Sequence, residues 1–142
     1  QECLDAQTPF IIMELDMDNL KQINDQYGHA DGDICIRTIA DSMRYAATQD
    51  EICIRSGGDE YIMVGRHYSS GQLNCYLKRF KEYLKEANLK LDKPYTIGVS
   101  IGYHIEIPDN TKQPEDYLRL ADHQMYEEKR RHKKNCQTET SL

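Results

Sequence analysis

No stretch of this sequence is long and apolar enough for a membrane span. The longest run, around Phe10–Met13, falls far short of the ~20 residues a spanning helix needs. A signal peptide is absent too, because Gln1-Glu2-Cys3 gives no basic region ahead of an apolar segment. There is no initiator methionine, so the expectation is a segment excised from a longer protein. An excess of positive charge is also lacking. The net charge of −6 argues against a duplex-binding protein, which needs a basic face. Neither a nucleic-acid partner nor a membrane contact is expected. The cysteines at 3, 35, 53, 75 and 136 are odd in number and form no Cys-x-x-Cys. Free thiols in a reducing cytoplasm fit this better than disulfides or a zinc site. Repeats, low-complexity tracts and internal linkers are missing as well.

What is present is a soluble, globular composition, 30% charged and 39% hydrophobic over 142 residues. That length suits a single domain, 1–142, able to bury roughly two-thirds of its unfolded surface. Pro9–Met17 reads as a buried strand ended by Asp16 and Asp18. Asn19–Gln26 reads as a short helix, with Leu20, Ile23 and Tyr27 on one face and Gly28 as its stop. Asp31-Gly32-Asp33 opens a second helix with Ile36, Ile39, Ala40, Met43 and Ala47 as its stripe. Strands follow at Glu51–Ser56 and Tyr61–Gly65. Ser69-Ser70-Gly71 caps a helix over Gln72–Glu86, with Leu73, Tyr76, Leu77, Phe80 and Leu84 inward. Tyr95–His104 is a fourth strand and Pro108–Pro114 a polar loop. The last helix, Glu115–Lys134, offers Tyr117, Leu118, Leu120, Ala121, Met125 and Tyr126 for burial, and 135–142 remains as a tail. The order β-α-α-β-β-α-β-α predicts an α+β fold: a ferredoxin-like, split β-α-β mixed sheet with helices packed on one face.

Two strand-like runs flank Arg55-Ser56-Gly57-Gly58-Asp59-Glu60-Tyr61, which reads as a β-hairpin. Paired glycines let a backbone approach a ligand without hindrance from a Cβ. One acid serves a turn well, so two adjacent acids suggest a metal–phosphate site, with an ordinary exposed acidic turn as the other reading. Asp16, flanked by Leu15 and Met17, is a carboxylate at the end of a buried strand, costly unless paired or bound to a cation. In this topology Asp59 and Glu60 lie across from it. Three acids together call for divalent ions, and Mg²⁺ binds through few carboxylates plus substrate phosphates. The first turn of the next helix, Asn19-Leu20-Lys21, is suited to a triphosphate. Asp18 reads as that helix's N-cap.

The stretch from Leu15 to Asp33, LDMDNLKQINDQYGHADGD, resembles the D-x-D-x-F-K-x-I-N-D-x-x-G-H-x-x-G-D of GGDEF domains, the diguanylate cyclases. Gly57-Gly58-Asp59-Glu60-Tyr61 is similar to the signature, with Tyr for Phe. Val99-Ser100-Ile101-Gly102 resembles the family's late strand. Ala121-Asp122, Tyr126, Lys129 and Lys133 resemble its closing A-D-x-A-L-Y-x-A-K-x-x-G-R-N. The matches span residues 10 to 134, nearly the whole chain.

The resemblance implies a palm-like fold with a catalytic hairpin, and cyclisation of two GTP to cyclic di-GMP and two pyrophosphates in a homodimer. Sensor or regulatory domains would accompany it in the full-length protein. Asp16, Met17, Asp59 and Glu60 would bind Mg²⁺ or Mn²⁺. Asp59 and Glu60 would be catalytic, Asp59 easing deprotonation of the ribose 3′-OH. Gly57 and Gly58 would make room for the α-phosphate and ribose. Asn24 and Asp33 would read guanine, and Leu20 and Ile36 would line the base pocket. Asn19, Leu20 and Lys21 would face the triphosphate. Lys129 and Lys133 would hold the distal phosphates, unless they only favour the dipole at a helix C-terminus.

Departures from the family pattern are specific. The family's usual D-x-L-T-G-L-x-N-R does not precede Pro9. His132 stands where Gly is usual, and Lys133 where Arg is usual, giving a point charge instead of a fork. The inhibitory R-x-x-D is replaced by Thr48-Gln49-Asp50-Glu51, so tight product binding outside the active site is not expected. Arg55, beside the signature, reads as structural. His29 and His104 read as core or capping residues. The rival readings are a non-catalytic GTP-binding regulatory module, which typically loses the signature acids, and a palm-like cyclase making another product, which Asn24 with Asp33 disfavours.

Overall fold

The computed structural model describes the backbone of residues 1–140 and side chains as far as Asn135; residues 141 and 142, and the side chain of Cys136, lie outside the described residues. β1 (Phe10–Met17) leads into α2 (Leu20–Tyr27) and α3 (His29–Ala46). The hairpin β2 (Glu51–Arg55) and β3 (Glu60–Arg66) follows, then α4 (Ser70–Leu91), β4 (Val99–Glu106) and α5 (Pro114–Thr140). A short α1, Glu2–Ala6, precedes β1, where the sequence suggested no element.

The strand order is β2-β3-β1-β4, the split β-α-β arrangement expected. Every pairing is antiparallel, which corrects the expected mixed sheet. β1 alternates strictly: Ile11, Met13, Leu15 and Met17 are buried, and Phe10, Ile12, Glu14 and Asp16 are half-buried. The inward set joins Ile39 and Met43 of α3 and Leu73, Tyr76, Phe80 and Leu84 of α4 in one core. Each such side chain contributes about 1.5–3 kcal/mol on burial.

The outward face of β1 is covered as well, by α5, which corrects the expectation of helices on one face. Phe10 meets Tyr117 edge-on at 4.8 Å. Helix and sheet approach so closely that a Cβ on Gly102 would lie 2.0 Å from the Ala121 carbonyl oxygen and 2.3 Å from the Met125 nitrogen. Tyr117, Ala121 and Met125 are buried as expected, but Leu120 and Tyr126 are exposed.

Element boundaries moved for local reasons. Gly28, at φ 95°, ends α2 and serves as the N-cap of α3, so Asp31–Asp33 falls inside α3 and does not open it. The buried face of α3 also includes Cys35 and Ala46. Ser69 and Gln72 form the capping box of α4, and that helix continues beyond Glu86 until Asp92 turns left-handed. Tyr95–Gly98 precedes β4: the Asn88 side chain donates to the Ile97 carbonyl and accepts from its N–H. α5 runs to Thr140, into the expected tail. Among the described residues no helix is long and apolar enough to cross a membrane.

Candidate active site

The end of β1 is where the chemistry collects. In the sheet register Asp16 lies opposite Glu60, because β1 finishes where the antiparallel β3 begins. The hairpin tip is tied to β1 by the Met17 N–H, which donates to the Asp59 carbonyl at 3.0 Å. The tip is braced from within: Ser56 N–H donates to the Glu60 carbonyl, and the Arg55 guanidinium donates to the carbonyls of Gly57 and Gly58. Arg55 is therefore structural, as its place beside the signature suggested.

Among the described residues, Asp16, Asp59 and Glu60 form one group of potential metal ligands, with donor oxygens within 4.8 Å of one another. Asp16 Oδ1 is buried without a hydrogen-bond partner among the described residues. Burial, reinforced by Asp59 and opposed by Lys129, pushes the Asp16 carboxyl up to about 6. A crowded set of hard oxygen donors with an orphaned buried oxygen fits Mg²⁺ or Mn²⁺.

Beside the acids lies a cleft of about 830 Å³, lined by Met17, Asp18, Asn19, Leu20, Lys21, Gln22, Asp59, Lys129, His132, Lys133 and Asn135. It is larger than the apolar groove of about 690 Å³ between α1 and the open part of the sheet, which holds none of the expected residues. Asn19 takes left-handed geometry, φ 61°, ahead of α2, and no side chain caps this helix among the described residues.

The Asp18 carboxylate is engaged elsewhere, which corrects its reading as an N-cap. It accepts from the Ser100 hydroxyl at 2.7 Å, and its other oxygen lies 2.8 Å from His132 Nδ1. His132, where the family usually has Gly, thus pins α5 to the end of β1. Lys129, one turn earlier, bonds Asp16 at 2.9 Å. Lys133 lines the cleft and is exposed.

The expected base-reading residues stand on neighbouring helices. Asn24 is half-buried on α2 and Asp33 exposed on α3. Gly32, next to Asp33 in the chain, lets α2 and α3 approach: a Cβ there would lie 1.8 Å from Asn24 Oδ1 and 3.4 Å from Leu20 Cδ1. Leu20 therefore links this corner to the cleft. Ile36 stands apart from the cleft lining; its carbonyl accepts from the Tyr61 hydroxyl, and its side chain faces the gap between α3 and β2. His29, the first residue of α3, is exposed, and His104 pairs with Glu106 at 2.9 Å.

One acid escaped the sequence reading. Glu14 lies two residues before Asp16 on the same strand face, and burial with Asp122, Glu60 and Asp16 nearby pushes its carboxyl up to about 7. Its period-two spacing from Asp16 was the available signal. Glu51, at the family's inhibitory Asp position, is buried and accepts from Thr48 and the Tyr68 hydroxyl.

Comparison with known proteins shows the family and the fold. The family model described as "Diguanylate cyclase, GGDEF domain" matches residues 1–135. The chain belongs to the GGDEF family. A curated relative, the probable diguanylate cyclase DgcT of Escherichia coli K12, is 28% identical over 125 residues, covering 86% of this chain and 27% of the relative. The chain spans about a quarter to a third of the length of curated relatives such as this one and the E. coli diguanylate cyclase DgcP, at 27% and 36%. The GGDEF domain of DgcB from Caulobacter crescentus, solved in complex with c-di-GMP, superposes with a TM-score of 0.77 at 25% identity, covering 91% of this chain and 77% of that one. The fold also matches the active GGEEF domain of a Vibrio cholerae diguanylate cyclase, TM-score 0.79 at 23% identity, covering 92% and 82%.

Proposed function

We propose that this GGDEF domain is a diguanylate cyclase that condenses two GTP into cyclic di-GMP and releases two pyrophosphates. The observation that carries the reading is the set of three signature-region acids, Asp16, Asp59 and Glu60, gathered within 4.8 Å at the mouth of a cation-lined cleft. Degenerate, non-catalytic modules of the family typically lose these acids.

Asp16, Asp59 and Glu60, with the Met17 carbonyl, would hold Mg²⁺ or Mn²⁺. When bound, the ion would offset the acids' repulsion and stabilise charge on the attacking and leaving oxygens. The chain supplies the rest. The first turn of α2, at Asn19–Lys21, presents its dipole to the triphosphate. Lys129 and Lys133 hold the distal phosphates as point charges. Gly57 and Gly58 leave the tip open beside the α-phosphate and ribose. Asp33 accepts from guanine N1–H and N2–H, donors that adenine cannot offer, and Asn24 adds a further amide contact. Leu20, which lines the cleft, flanks the base; Ile36, facing the gap between α3 and β2, takes no part in this reading.

In each half-reaction a ribose 3′-oxygen bonds to the α-phosphorus of the other nucleotide, and the bond from that phosphorus to pyrophosphate breaks. The hydroxyl proton leaves toward Asp59. Each cleft takes one GTP, so two domains face each other as a homodimer, and the second transfer closes the ring. Incubation with GTP and Mg²⁺, with products resolved by mass, tests this. Cyclic di-GMP is expected; bound but unconverted GTP would instead identify a regulatory GTP-binding module.

A further inference from the structure

Lys129 reaches Asp16 from α5, which covers the outward face of β1. Its ammonium lies 2.9 Å from Asp16 Oδ2 and 3.5 Å from the Met17 carbonyl oxygen. The Met17 carbonyl is one of the donors assigned to the divalent ion, and Oδ2 belongs to the same carboxylate as Oδ1, which has no hydrogen-bond partner among the described residues. The contact is sheltered, with the Lys129 side chain 26% exposed and that of Asp16 14%. An ammonium held against these oxygens repels a divalent ion brought to the same carboxylate and carbonyl, and it takes lone pairs the ion would use. Lys129 also lines the cleft proposed for the triphosphate, and its flexible four-carbon stem permits a second position there.

We propose that Lys129 is an internal counter-cation that competes with the divalent ion for Asp16 and Met17, and that a triphosphate resolves the competition by drawing the ammonium away. This rests on the cyclase reading of the acidic site and adds a linkage to it. Metal alone has to displace Lys129 into water. Metal arriving with nucleotide displaces it onto phosphate oxygens, where its charge is again paired. Metal and nucleotide therefore bind cooperatively, and part of that cooperativity belongs to one side chain. The device keeps the acids neutralised between turnovers without holding the metal tightly.

Lys133 provides the control for charge alone. It sits one turn further along α5, lines the same cleft and is exposed. Binding of Mn²⁺ alone, followed by the electron paramagnetic resonance signal of the free ion, is compared in the parent, Lys129→Met, Lys129→Gln and Lys133→Met. Loss of the competing contact should tighten Mn²⁺ binding about tenfold in both Lys129 variants. Lys133→Met should change it by no more than about twofold, as expected of an exposed charge. A GTP analogue with a methylene between the α and β phosphorus atoms should then strengthen Mn²⁺ binding more in the parent than in Lys129→Met. Unchanged or weaker Mn²⁺ binding in the Lys129 variants overturns the proposal, as does equal tightening in Lys133→Met. If Asp16→Asn abolishes Mn²⁺ binding in those cases, the cyclase reading stands without the linkage. Mn²⁺ binding that survives Asp16→Asn overturns both.

Discussion

Asp16 sits where burial and charge conflict. Its carboxyl is raised to about 6, first by burial, and that of Glu14 to about 7 for the same leading reason. The folded protein thus holds protons that the unfolded chain releases near about pH 4. Protonation favours the folded state, so these two groups contribute stability at low pH that is lost as the pH rises from about 4 through 6–7. Glu14→Gln should therefore show a smaller fall in melting temperature between about pH 5 and pH 8 than the parent; a fall as steep as the parent's would show that Glu14 does not titrate in this window. The base corner makes a separate prediction. Asn24→Ala or Asp33→Ala should weaken GTP binding by about 1–3 kcal/mol, the cost of leaving a polar edge unpaired, and should reduce its preference over ATP. Equal affinity of the parent for GTP and ATP, measured by calorimetry, would contradict these roles.

At the scale of elements, α5 decides whether the site exists, because it carries Lys129, His132 and Lys133 to the end of β1. Its position depends on Gly102, where any side chain would strike the α5 backbone. Gly102→Val should lower the melting temperature by the equivalent of about 1–3 kcal/mol or more and weaken nucleotide binding along with it. Unimpaired GTP binding would show that α5 can shift without disturbing the cleft. The sequence made the hairpin and its meeting with β1 legible, since Asp16 and the paired-glycine turn mark the same sheet edge. It did not reveal which face α5 covers. The stripe Tyr117, Ala121, Met125 says only that one side is buried. The overlooked clue was in β1, whose early residues Phe10 and Ile12 are apolar on the outward face and need a cover. Gly102 inside a strand was a second clue, since such a glycine often marks a close backbone approach. The role of Asp18 was hidden for another reason. Its partners Ser100 and His132 are 82 and 114 residues away in the chain, and no local pattern encodes such pairings.

For the whole molecule, the proposed reaction needs two nucleotide-loaded clefts facing each other. Specific activity should therefore rise with protein concentration, and a dimeric coiled coil fused at the N-terminus should raise it further. Specific activity that stays flat over a wide dilution series would contradict a reaction shared between two domains. The central claim, that the gathered acids perform this chemistry, is tested most directly by a mass-resolved assay of products from GTP and Mg²⁺ in the parent and in Asp59→Asn. Asp59 stands on the hairpin tip, outside the core, so the variant should keep the parent's melting temperature. The account predicts cyclic di-GMP and pyrophosphate from the parent and none from the folded variant. Undiminished cyclic di-GMP from Asp59→Asn, or unconverted GTP with the concentrated parent, would contradict it.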